Sequence, residues 1–359
     1  MKKERLSNIE LLRIIMMLII IYSHFSSHSN FVFEDIGLNR ILMPMTRLGE
    51  LGVTCFLLIS GYFSINKKNL PIKAVNLLIE VWFYNVVIIC MLVVLGKPLT
   101  FEEILKNVIP IYNTHWFAYT FVFLYILAPF INIFLKKISQ NNLSLLLIIL
   151  GVTWGVVYPF TGADLNFSYL GWFIFLYMIG AYLSLYPEKA NVKKMLLIAS
   201  LCIAILWGST IIFSVVDAVG LMPLERYVNY FYSMYSPFIW ILGIVLFRIF
   251  LELKIKTSKI INTISSSTFA VYLISDNKYL RNVIWNEIFM NTQFSNSGML
   301  FMIGLLETVA IFCVCIIVDK ARIYIFKKLK IEVMVEAAVL KINYVIKKIE
   351  GYFFNEQKI

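Results

Sequence analysis

The chain has 359 residues, is 60% hydrophobic and only 15% charged, and carries a formal net charge of +11 with a mean hydropathy of +0.81. A soluble protein of this length needs about twice that charged fraction to cover its surface, so the soluble classes are excluded and a polytopic membrane protein is left. Nor does the basic excess belong to a nucleic-acid binder, because no soluble domain is present to gather it on one face.

About ten stretches reach the roughly 20 apolar residues needed to cross a bilayer. They are 9–28, 47–65, 74–95, 116–135, 143–160, 168–186, 195–216, 230–250, 264–285 and 299–319. With the N-terminus inside, roughly three-quarters of the 32 Lys and Arg residues fall on the cytoplasmic side, as the positive-inside rule requires. The expected architecture is therefore all-α, with both termini cytoplasmic and the cell membrane as its location. Residues 1–320 form the membrane domain. Residues 321–359 form a basic amphipathic tail suited to an anionic inner leaflet, or a solvated one.

The first stretch, SNIELLRIIMMLIIIYSHFSSH, opens on Ser7 with Glu10 three residues later, the spacing of a capping box. Arg13 and His24 are eleven residues apart. That places them about 16 Å apart along a helix and within about 20° of one another around it. Glu10 lies about 60° from Arg13 and is a candidate ion-pair partner. Two readings fit this stripe. Arg13 snorkels to the headgroups while His24 bonds a neighbouring helix, or the two intramembrane ionisable groups mark a site. His28, one turn past His24, reads as a solvated interfacial residue.

Glu50 falls near the outer end of the second stretch, where it orients His24, binds acceptor hydroxyls or pairs with Arg47. Glu80 and Glu307, in the third and tenth stretches, read first as structural partners. The ninth is the weakest, because Asp276, Lys278 and Arg281 interrupt it, and it is expected to be short or broken. Cys55, Cys90, Cys202, Cys313 and Cys315 all fall inside spans and suggest packing rather than a disulfide framework. With three histidines, none at ligand spacing from a cysteine, no metal centre is indicated.

Four segments together resemble the acyltransferase 3 family of integral membrane O-acyltransferases. The first span is similar to that family's Arg, ten residues, then His, here Arg13 and His24. The second, GELGVTCFLLISGYFSI, resembles its G-x-x-x-V-x-x-F-F-x-x-S-G-[FY] segment at Phe56, Ser60, Gly61 and Tyr62. The fourth, HWFAYTFVFLYILAPFIN, matches its H-x-W-F stretch at Trp116, Phe117, Tyr125 and Pro129, with His115 just ahead. The ninth matches Y-L-I at Tyr272, Leu273 and Ile274, but Ser275 and Asp276 follow where the family often has His.

The resemblance implies transfer of an acyl group, most often acetyl, from cytoplasmic acyl-CoA to a hydroxyl of a cell-surface glycan. No tightly bound cofactor is expected, and the implied partners are membrane lipid, acyl-CoA and a carbohydrate acceptor. Histidine has the unperturbed pKa nearest neutrality, so His24 is the candidate general base or transient acyl carrier, with Glu50 beside it. Arg13, backed by Glu10, suits the CoA phosphates because a guanidinium fork matches phosphate oxygens. Ser60, Gly61, His115, Trp116 and Asp276 are the candidate substrate-contacting residues, although Gly61 also reads as a close helix contact. The competing expectation is a glycan exporter or flippase with no acyl chemistry. It would need polar residues along several spans, whereas here they concentrate in the first two.

Overall fold

A computed structural model describes residues 5–34, 37–67, 70–109, 115–161 and 168–341; these are mostly helical, with no strand among them. Among the described residues, eight helices are long and apolar enough to cross a membrane, and Tyr169–Leu185 is a shorter apolar helix. The main elements are α1 (Ser7–His28), α2 (Gly49–Ser64), α3 (Leu70–Val94), α4 (Trp116–Lys137), α5 (Gln140–Thr161) and α6 (Tyr169–Leu185). They continue with α7 (Val192–Ala218), α8 (Pro237–Glu252), α9 (Lys259–Ser265), α10 (Thr268–Ser275) and α11 (Leu300–Lys328).

The ninth expected span is the broken one. Hydroxyl side chains that bond nearby carbonyls compete with helical propagation: Ser266 Oγ donates to Thr263 O at 2.7 Å and Thr268 Oγ1 to Ser265 O at 3.0 Å. The result is two short helices, α9 and α10, end to end. The boundary expected at 320/321 lies within α11, which runs on to Lys328, with a further helical stretch over 331–341. The rest of the basic tail, 342–359, lies outside the described residues.

The Ser7 capping box does not form. Leu6 occupies the N-cap position. Ser7 Oγ instead donates to Asn262 Oδ1 at 3.1 Å and accepts from the Ser258 N–H at 2.8 Å. A true capping box forms at Thr100 and Glu103, ahead of the short helix Phe101–Val108.

Helix α1 is central and packs against α2, α8, α9, α10 and α11. In lipid, helices associate through close dispersion contact rather than hydrophobic expulsion, so small residues mark the tightest approaches. Gly52 of α2 receives Ile20 of α1, and Gly304 of α11 receives Phe25. Helices α2 and α6 meet most closely: a Cβ on Gly61 would run into the Tyr177 carbonyl, and one on Gly180 into the Leu58 carbonyl. All five cysteines are free; Cys55, Cys202 and Cys315 are buried and Cys90 and Cys313 exposed.

Candidate functional site

A cavity of about 680 Å³ lies among α1, α2, α3, α4 and α10, with Arg13, Met17, Ile20 and His24 of α1 on its wall. These four follow the stripe that the Arg13–His24 spacing predicts, so both ionisable residues open into one space from one helix face.

At the Arg13 end, Arg13 Nε lies 3.6 Å from Glu10 Oε2. Glu10 in turn accepts a hydrogen bond from the Ser265 hydroxyl at the α9–α10 break. Arg13 Nε has no hydrogen-bond partner of its own. Lys73 of α3 also lines this end, with its ammonium 5.5 Å from the centre of the Tyr125 ring. Lys67, in the turn before α3, is pushed down to about 8, first by partial burial and then by the adjacent Lys73 ammonium. Like charges disfavour each other's charged form, so this end gathers cations without enough local anions. Glu80 lines the cavity but is engaged by Arg322 Nη2 at 3.0 Å. Arg322 also holds Asp319 at 2.7 Å, and Asp319 accepts from Tyr84 Oη at 2.7 Å.

The middle is aromatic. Phe117, Phe121 and Tyr125 recur at i, i+4 on α4, with ring centres 5.4 and 4.9 Å apart. Phe56 and Ser60 of α2 also line the wall. The Ser60 hydroxyl donates to Phe56 O at 2.8 Å, which satisfies it within its own helix.

At the His24 end, the residue that follows α10, Asp276, delivers a carboxylate. Asp276 Oδ1 lies 3.4 Å from His28 Nε2, 3.7 Å from His24 Nε2 and 3.8 Å from Arg281 Nη1. The turn at Asn277 sets this up: its carbonyl accepts from the N–H groups of Leu280 and Arg281, folding Arg281 back over Asp276. The far end of α1 is fixed as well. Asn286 Nδ2 donates to His28 O at 2.9 Å, and Asn291 Nδ2 to Ser29 Oγ and Glu307 Oε2, each at 3.0 Å. Asp276 faces the Nε2 atoms, while His24 Nδ1 is buried and has no hydrogen-bond partner. Glu50 lines the same end, and its Oε2 is likewise buried and unpartnered.

The cavity therefore brings together Arg13, His24, Glu50, Ser60, Trp116 and Asp276 from six separate positions in the sequence. Glu10 sits behind Arg13. Two candidates lie elsewhere. Gly61 is at the α2–α6 contact, where its lack of a side chain permits close approach. His115 is buried at the start of α4, its Nε2 3.2 Å from Asn85 Oδ1 and its ring 5.7 Å from that of Tyr272. Arg47 does not pair with Glu50; its guanidinium donates to the Ser26 hydroxyl and carbonyl, both at 3.2 Å. His28, read as interfacial, lines the cavity beside Asp276. Sequence alone does not single out Lys67 and Lys73, which read as ordinary lysines around the start of α3. Their signal is the cluster Lys67, Lys68, Lys73, adjoining the end of the span that carries Ser60.

An intramembrane cavity with charged groups at both ends defines a multi-pass membrane protein whose polar site lies within the helical bundle. A family described as an acyltransferase domain matches residues 6–319. The chain belongs to that family and is a membrane acyltransferase. No curated protein and no solved structure matches it.

Proposed function

We propose that the chain transfers an acyl group, acetyl in the first instance, from acyl-CoA to a hydroxyl of a cell-surface glycan at the cell membrane. The observation that carries this reading is the shared cavity, with a cationic cluster at one end and an Asp-flanked histidine at the other. Arg13, Lys67 and Lys73 suit the phosphates of CoA, and on the positive-inside topology they face the cytoplasm. The aromatic middle accommodates the pantetheine arm. At the far end, His24 Nδ1 accepts the proton of the acceptor hydroxyl as its oxygen attacks the thioester carbonyl. The carbon–sulfur bond then breaks, and the CoA thiolate leaves and takes up the proton held by the His24 imidazolium, which restores the base. Asp276 stabilises the imidazolium that forms, and Glu50 accepts a hydrogen bond from the incoming sugar.

The test measures ester-linked acetyl on isolated envelope glycans from cells with the intact gene, without it, and with His24→Ala at equal expression. Acetyl lost in both deletion and variant, with glycan amount unchanged, supports the reading. Full acetylation by the variant removes His24 from the mechanism. Loss of surface glycan with unchanged acetylation of what remains makes the protein an exporter.

A further inference from the structure

We propose that His24, His28 and Asp276 form a Zn²⁺ site at one end of the cavity, and that its occupation switches off acyl transfer. The second half of this proposal rests on the reading of His24 as the base. The first half stands on geometry alone.

His24 and His28 are four residues apart on α1, and their ring centres lie 5.2 Å apart at an interplanar angle of 34°. Two histidines at i, i+4 on one helix face are a recurrent half-site for zinc. Asp276 supplies the third donor from just past the end of α10. One ligand atom from each residue falls within 4.8 Å of the other two, and among the described residues no other group of three His, Cys, Asp or Glu side chains converges in this way.

The separations decide between two uses of the cluster. A charge-assisted N–H···O bond closes to roughly 2.8 Å. Donors bound at about 2.0–2.1 Å around a tetrahedral zinc stand ~3.3 Å apart. The Asp276 oxygen is 3.4 Å from His28 Nε2 and 3.7 Å from His24 Nε2, which is nearer the metal spacing than the hydrogen-bond spacing. Two imidazoles and a carboxylate suit zinc, and all three residues face the cavity, so a fourth position is open to water or substrate.

Arg281 is the competitor. Its Nη1 is 3.8 Å from the same carboxylate oxygen, and its side chain is 41% exposed, so the guanidinium can swing away as the metal enters. Removing it should tighten binding. Inhibition follows from the tautomer. Zinc on His24 Nε2 leaves the ring proton on Nδ1, and the nitrogen proposed to accept the substrate proton then has no lone pair to do so.

The experiment titrates the metal-free full chain in detergent with ZnCl₂ by calorimetry, alongside His28→Ala, His28→Gln, Asp276→Asn and Arg281→Ala, each checked for fold by circular dichroism. The wild-type chain should bind one Zn²⁺ with micromolar affinity. The His28 and Asp276 variants should bind at least tenfold more weakly, and Arg281→Ala several-fold more tightly. X-ray absorption should show two imidazole nitrogens on the metal. No binding below millimolar zinc, or equal affinity in folded wild-type and variant chains, overturns the site. Acyl transfer should fall over the zinc range that fills the site. Stoichiometric binding with undiminished transfer overturns the switch and with it the assignment of His24 as base, while leaving the metal site in place.

Discussion

At the scale of single residues, the substance of the site is one carboxylate serving two imidazoles. Asp276 lies 3.7 Å from His24, too far for a hydrogen bond but well placed to stabilise a developing imidazolium. Asp276→Asn keeps the shape and removes the charge. Its expected effect is a 10–100-fold fall in kcat, about 1.4–2.7 kcal/mol of transition-state stabilisation, with the KM for acyl-CoA changed less than about twofold. Steady-state kinetics on purified chain decide it, and a change confined to donor KM would move Asp276 to the other substrate. Glu50 gives a complementary case. Its unpartnered Oε2 is suited to accept a hydrogen bond from a sugar hydroxyl, so Glu50→Gln should raise the acceptor KM several-fold and leave the donor KM alone. An unchanged acceptor KM would leave Glu50 without a role at the substrate.

At the scale of helices, the α2–α6 contact governs stability more than chemistry. Carbonyl groups sit where a Cβ on Gly61 or Gly180 would fall, whereas Gly208 on α7 has nothing within 4 Å of that position. Gly61→Ala and Gly180→Ala should each destabilise the detergent-solubilised chain by about 1–3 kcal/mol through overpacking. Gly208→Ala should be neutral or slightly stabilising, as helix propensity favours alanine by about 1 kcal/mol. Thermal unfolding of the three variants separates the outcomes, and equal melting would remove the close-contact role from Gly61. The same scale shows why one local motif failed and another went unread. Ser7 and Glu10 have the capping-box spacing, but this end of α1 packs against α9, and Asn262, Ser258 and Ser265 take up their oxygens first. Thr100 and Glu103 have no such rivals on an exposed helix, so there the local rule holds.

At the scale of the whole molecule, what could be read in advance was whatever one helix contains. The Arg13–His24 stripe depends only on helical repeat, and hydropathy alone gives the span order and marks the ninth span as the weak one. Asp276 is marked by the Y-L-I resemblance, but its meeting with the histidines of α1, like the arrival of Lys73 and Arg281 at the cavity, depends on α10 packing beside α1 and on α3 packing beside α10 and α4. The cluster of His24, His28 and Asp276 shows the same gap: the two histidines are one turn apart on α1, but the carboxylate between them comes from a distant part of the chain. Net charge, in contrast, speaks about the assembled site. The cluster of Arg13, Lys67 and Lys73 holds more cation than its surroundings neutralise, and partial burial beside the Lys73 ammonium pushes Lys67 down to about 8. Below that value the free enzyme carries the Lys67 charge and attracts CoA phosphates; above it the charge is lost. Bound phosphate would itself hold the proton on, so the effect belongs to the free enzyme and appears in KM rather than kcat. The donor KM should therefore rise about three-fold or more between pH 7 and pH 9, with the acceptor KM following only the His24 end. Lys67→Met should show the raised donor KM already at pH 7 and little further change to pH 9. A wild-type donor KM that is flat across this range would mean that the phosphates bind elsewhere.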